Sequence, residues 1–354
     1  MTAINSELII HPNIIRKNIN FLKSKINKTS KFMAVIKSDA YGHDLQNIIK
    51  DIDDIVDGYG VVRIDEAIKI RKYSDKKVLL MQGVYNQDEF LVSKDYKLDL
   101  VVHNLFQFKI IKNNDHYHGI WIKVNTGMNR LGFDIKEFLN IYKKYFFNKN
   151  FILMSHLAAA EDAHNKKNIE QFNAFEEIIK CLRPSIQKSI ANTGCILNFP
   201  EKSYDWVRCG IGMYGGNSKD EKELETAMQL RSPIVNLRNI KKGETVGYDA
   251  RAVAKKNMKI ATVYIGYADG LPSNLRDGSK VLVKNKIAKI FGKVSMDSIT
   301  IDVSNFNDIS VGDWCTFFSA ELPINDISKF NDLISHFFMT NIQSRVKKVY
   351  KSLS

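Results

Sequence analysis

The sequence predicts an α/β fold, an N-terminal (β/α)₈ barrel followed by a mostly β domain, and two observations carry that prediction. Up to about residue 226, short apolar strands alternate with helical stretches; from about Met228, strands follow one another with no long helices between them. The first region holds eight strand candidates: Phe32–Lys37, Gly58–Val62, Val78–Gln82, Leu98–His103, Gly119–Val124, Phe151–His156, Ser189–Asn192 and Trp206–Arg208. Helical periods lie between most of them, clearest at Asp65–Arg71, Asp134–Tyr145 and Lys166–Cys181. A doubly wound sheet needs fewer strands. The second region reads as Ile234–Ile240, Lys259–Ile265, Lys280–Val283, Ile287–Ile290, Ser298–Val303 and Trp314–Phe318, divided by turn signals such as Lys242-Gly243 and Val311-Gly312-Asp313. The division is therefore residues 1–227 and 228–354. Glu7–His11 is strand-like and is expected to pair with the barrel.

Bulk properties narrow the function classes. With 354 residues, 44% hydrophobic and 26% charged, the chain has the composition of a globular protein with a large core. No apolar run approaches the roughly 18 residues that span a bilayer, and MTAINSELII lacks a basic leader pattern. A cytoplasmic protein with no membrane partner is expected. The cysteines, Cys181, Cys195, Cys209 and Cys315, show neither paired nor metal-ligand spacing, so reduced thiols and no metal are expected. The formal charge of +13 invites a nucleic-acid reading, yet the lysines are dispersed and no nucleic-acid motif surrounds them. A solvated basic surface is the simpler account.

The stretch KFMAVIKSDAYGHD ends a buried strand on a lysine, Lys37, and then breaks into turn residues. Other reactive residues also collect at strand ends. Lys123 ends the fifth strand, with Arg130 following; His156 ends the sixth; Asn192 and Thr193 follow the seventh; Arg208, Gly210 and Ile211 follow the eighth. In a barrel these positions share one face, where active sites are built, and the last two loops favour phosphate. A lysine, an arginine and a phosphate site together suit pyridoxal phosphate: the amine condenses with the cofactor aldehyde and the ring draws electrons from a substrate α-carbon.

The motifs AVIKSDAYGH, KVNTGMNRLGF, IANTG, VRCGIGMYG, VGYDA, IGYADG and GKVSMD occur in this order, and with them the chain resembles the bacterial alanine racemases over nearly its whole length. The resemblance implies a PLP-dependent isomerase that interconverts L- and D-alanine by a two-base mechanism and supplies D-alanine for peptidoglycan. It implies that Lys37 carries the cofactor and is the base on one face of the α-carbon. Tyr248 is implied as the base on the other face, supplied by the partner of a homodimer with shared sites. Tyr41, Asn192, Thr193, Gly210 and Ile211 would hold the phosphate. Arg208 would face the ring nitrogen, and His156 would lie beside Tyr248. Arg130, Met296 and Asp297 would contact substrate, Tyr267 and His336 would line the entrance, and Lys123 would be a candidate for carbamylation.

Each of these residues alone has an ordinary reading. Tyr248 and Tyr267 suit strands, His156 suits a core, Met296 fills space and Lys123 suits a strand end. The chain also departs from the family pattern. Asn125 stands for aspartate, Asn129 for glycine, Cys209 for proline, Asp249 for glycine, Lys293 for arginine and His336 for a gating tyrosine. The last widens the expectation to serine or other small amino acids. A barrel-type PLP decarboxylase is the alternative, set apart by the carboxylate it presents where this chain has Arg208.

Overall fold

The computed structural model describes residues 5–112, 119–216 and 223–351. Of the opening stretch read for a leader, Met1–Ile4 lie outside the described residues. The chain starts with β1 (Glu7–Ile10) and then enters eight strands: β2 (Lys31–Val35), β3 (Gly58–Val61), β4 (Lys77–Leu80), β5 (Asp99–Val102), β6 (Ile120–Lys123), β7 (Ile152–Met154), β8 (Gln187–Ser189) and β9 (Trp206–Cys209). They form one sheet in the order β8-β7-β6-β5-β4-β3-β2-β9, with every pairing parallel. The ring closes between β8 and β9: Asp205 N donates to Lys188 O (3.2 Å) and Arg208 N to Ala191 O (2.9 Å).

The continuous apolar character of β2 follows from burial on both sides. Met33 joins Leu79, Val101, Trp121 and Trp206 in one cluster, while Phe32 and Ala34 join the larger core that includes Ile15, Ile19 and Ile48. The expected helices appear at Ile64–Arg71 and Lys166–Lys180, and at Ile135–Ile141 running on into a π turn over Tyr142–Phe146.

The second region is antiparallel. Its strands are β10 (Met228–Ile240), β11 (Thr245–Val246), β12 (Ala252–Val253), β13 (Met258–Val263), β14 (Lys280–Val283), β15 (Lys286–Ile290), β16 (Ile299–Asp302), β17 (Trp314–Phe318) and β18 (Lys347–Tyr350). β11 and β12 form a small ribbon whose connection carries Tyr248. The others build a sheet ordered β13-β16-β15-β14-β17-β10-β1-β18, with β10 also pairing β13.

The expected pairing of Glu7–His11 with the barrel is corrected here. β1 lies between β10 and β18, with Leu8 opposite Leu230 in the antiparallel ladder and opposite Lys348 in the parallel one. The physical reason is the closed ring: the barrel has no free edge, whereas β10 and β18 leave one strand's width for β1. The first and last described strands thus lie side by side in the β sheet. Among the described residues, no helix is long and apolar enough to cross a membrane.

Leu8 is fully buried in this sheet. Leu8→Ala should therefore destabilise the fold by about 2–5 kcal/mol, since it removes packed side-chain atoms and leaves a cavity. Chemical denaturation would show this as a lower midpoint at unchanged slope; an unchanged midpoint would place β1 outside the cooperative core.

Candidate active site

The carboxyl ends of the barrel strands open into a cavity of about 550 Å³. Ten of the residues singled out in the sequence line it: Lys37, Tyr41, Arg130, His156, Asn192, Thr193, Arg208, Gly210, Ile211 and His336. They come from five strand ends of the barrel and, in His336, from the helix Ser335–Thr340 of the β domain.

Lys37 follows β2 and opens a segment that the sequence reads as an ordinary turn. It is a left-handed helical turn: Ser38, Asp39, Ala40 and Tyr41 all have φ of +53° or +54°. None of them is glycine, and the left-handed helix costs an L-residue roughly 1–2 kcal/mol, about 4–8 kcal/mol over the turn. Such strain persists only where surrounding contacts over-determine it. Ser38 N donates to Glu66 Oε1 (2.6 Å), Leu45 N to Asp39 Oδ1 (2.9 Å) and Lys348 Nζ of β18 to Asp39 Oδ2 (2.8 Å). Gly42 then turns out at φ +80°, where an added Cβ would lie 2.3 Å from Met339 O.

The turn delivers Tyr41, buried, onto the loop after β9. A Cβ at Gly210 would lie 2.5 Å from the Tyr41 hydroxyl, so only glycine lets that hydroxyl approach the backbone there. Thr193 Oγ1 accepts from Gly212 N (3.3 Å), and Asn192 Oδ1 caps the next short helix at Cys195 N (3.1 Å), which fixes the two loops side by side. Burial raises the Tyr41 pKa, keeping its hydroxyl a neutral donor.

Arg208, the third residue of β9, is buried beneath the cavity. Its Nη1 donates to Ser189 Oγ and its Nη2 to Ser155 O (2.6 Å), with His156 Nδ1 at 3.4 Å. Its Nε is buried with no hydrogen-bond partner. Burial brings its pKa down to about 10, so it stays protonated at neutral pH. Ser189 and Ser155, which hold Arg208, are residues the sequence reading missed; their signal was a small hydroxyl at the end of a barrel strand.

The site is strongly cationic. Lys123, at the end of β6, is buried nearby; burial first, then the charges of Arg208, Arg130 and Lys37, bring its pKa down to about 8. Burial and the Arg130 charge lower Lys37 as well, and burial with the Arg208 charge drives His156 well below its ordinary value. A neutral lysine amine can condense with an aldehyde, and a ring nitrogen that accepts from Arg208 Nε would satisfy the orphaned donor. The residues present fit pyridoxal phosphate.

Four of the singled-out residues lie elsewhere in the chain. Tyr248 (66% exposed) and Tyr267 (44%) line a second cavity, of about 760 Å³, together with Asp249 and Lys293. Phe337 lines that cavity while its neighbour His336 lines the first, so one short helix separates the two. Met296 is 53% exposed, and Asp297 is held by Arg345 Nη2 (2.8 Å). His336 packs its ring against Tyr41, centroids 5.7 Å apart.

Two family models match the chain: alanine racemase N-terminal domain over residues 10–218 and alanine racemase C-terminal domain over residues 227–350. The chain is 35% identical to an alanine racemase of Alteromonas mediterranea, covering 98% of this chain and 99% of that protein. It is 36% identical to one of Vesicomyosocius okutanii, over 92% and 94%. Among solved structures, the biosynthetic alanine racemase of Pseudomonas aeruginosa superimposes with a TM-score of 0.93 at 27% identity, covering 99% of this chain and 100% of that one. The alanine racemase of Bartonella henselae, crystallised with covalently bound pyridoxal phosphate, gives 0.90 at 26% over 99% and 100%. Barrel, β domain, cavity and matches agree, and the chain belongs to the alanine racemase family.

Proposed function

We infer that the protein is a PLP-dependent alanine racemase interconverting L- and D-alanine. The observation that carries this reading is Arg208: a buried, charged donor with a free Nε at the cavity that Lys37 enters. Among the described residues no carboxylate is among its partners, and an arginine stands where the decarboxylase alternative presents a carboxylate. The bound cofactor supplies an aldehyde for Lys37 and a ring that delocalises the charge left when the substrate α-proton departs. Arginine does not hand over its proton, so Arg208 would leave the ring nitrogen it faces unprotonated and the delocalisation limited. That favours prompt return of a proton to the α-carbon.

Lys37 Nζ, its basicity lowered by burial and Arg130, takes or returns the α-proton on one face. The opposite face needs a second group, and among the described residues the Lys37 cavity offers no tyrosine for it other than Tyr41, whose hydroxyl lies close against Gly210. We assign the role to Tyr248 of a partner subunit in a homodimer, with Met296, Asp297 and Tyr267 of the same face completing the pocket. The exposure of Tyr248, Tyr267 and Met296 supports this reading. Arg130, on the cavity wall, binds the substrate carboxylate. The β domain 228–354 thereby acts on a neighbour's barrel, in the cytoplasm, where free thiols such as Cys181 persist, and the product D-alanine feeds peptidoglycan synthesis.

This arrangement predicts complementation. Lys37→Ala and Tyr248→Phe should each abolish racemisation, and co-refolded mixtures should regain activity, approaching a quarter of wild type in random dimers because half are mixed and each holds one intact site of two. Chiral chromatography of the product measures it; no recovery from folded, dimeric mixtures would contradict shared sites.

We further propose that Lys123 is carbamylated. Its lowered pKa leaves free amine available to carbon dioxide, and the carbamate's negative charge would offset Arg130, Arg208 and Lys37. Bicarbonate at pH 8 should then raise the thermal midpoint of the wild type and leave that of Lys123→Met unchanged. Equal responses would exclude the carbamate.

A further inference from the structure

The left-handed turn 38–41 has one grip that the reaction itself does not call for. His43 is fully buried, and its Nδ1 lies 3.1 Å from Ala40 O and 3.0 Å from Tyr41 O. Carbonyl oxygens only accept, so the ring hydrogen resides on Nδ1 and is shared between these two bonds. Nε2 is then the bare nitrogen, and it has no partner. Burial accordingly favours the neutral ring, bringing the His43 pKa down to about 3. The ring stacks on Tyr214 at 4.4 Å and 25°, and Tyr214 in turn lies 5.0 Å from the ring of Tyr41. His43 thus holds the last two left-handed residues by their carbonyls and the Tyr41 ring through an intermediary.

We propose that His43 is a positioning residue for racemisation: its Nδ1–H locks the turn in the left-handed form and so fixes the separation between the Lys37 amine and the Tyr41 hydroxyl across the cavity. This rests on the reading that Lys37 and Tyr41 hold the cofactor. Nothing in Ala40 or Tyr41 themselves prefers φ near +53°. Without the two bonds the backbone relaxes toward the right-handed region, and the two anchors no longer span one ligand.

The test compares holoenzymes of wild type, His43→Phe and His43→Asn, with Lys37→Ala prepared in the same way as the control. Phenylalanine keeps a stacking ring and loses the donor; asparagine loses the ring and keeps an N–H at a similar distance. Cofactor loss on dialysis, followed by the visible absorbance of the lysine-bound cofactor, is read beside the thermal midpoint. His43→Phe should lose cofactor about ten-fold faster than wild type, and His43→Asn should stay within about three-fold, whatever their midpoints. Equal loss in both variants, or loss in neither, overturns the inference. Lys37→Ala should lack the band altogether; a persisting band would instead overturn the assignment of Lys37. A missing band in Lys37→Ala beside a wild-type rate in His43→Phe sinks the His43 role alone. If His43→Phe does not fold, His43→Leu against His43→Asn carries the same comparison.

Discussion

The constraint on which the site depends is the reversed handedness of four residues after β2. A right-handed continuation would have carried Tyr41 away from the loop after β9; the left-handed turn sets its hydroxyl against Gly210 while Lys37 stays at the cavity. The cost is met by contacts from both domains. Glu66 comes from the barrel, whereas Lys348 and Met339 come from the β domain. The β domain is therefore a structural part of its own chain's Lys37 cavity, independently of the role proposed for its Tyr248 face. Because β18 carries Lys348 and pairs with β1, the two ends of the chain contribute to holding the turn.

Charge is the second organising principle. Lys37, Lys123, Arg130 and Arg208 gather at one end of the barrel, and each lowers the proton affinity of another. Such a site suits an anionic cofactor and an anionic substrate, and Arg130, exposed on the cavity wall, is the cation proposed for the substrate carboxylate. Arg208 is fixed differently, by Ser189 and Ser155 at strand ends, which leaves its Nε without a partner. A carboxylate in its place would lower the positive charge of the cluster and favour a protonated ring nitrogen, altering both affinity and chemistry.

Much of this was legible in the sequence because the barrel translates order into position. Once eight strands are counted, residues at their carboxyl ends share a face, and Lys37, His156, Asn192 and Arg208 meet in one cavity as expected. What escaped were features set by tertiary contact. Nothing in Ser-Asp-Ala-Tyr marks consecutive positive φ, since those residues adopt it only under outside restraint. His43 and Ser189 carry no signal in the sequence because their partners are backbone atoms and a distant arginine. β1 was misassigned because an isolated strand does not say which edge it joins. Some departures became intelligible instead: Asn129 and Asp249, at φ +57° and +61°, occupy positions where asparagine and aspartate tolerate what glycine allows. Asp249 also pairs with Lys293 at 2.7 Å, so two departures form a single ion pair.

If two different groups exchange the α-proton on opposite faces, hydrogen isotope transfer will show it. With L-alanine in deuterated buffer at early conversion, mass spectrometry of the separated enantiomers should find deuterium at the α-carbon of D-alanine and mainly protium in the remaining L-alanine. A single shared base would return the abstracted proton, and D-alanine that kept its α-protium would contradict the account.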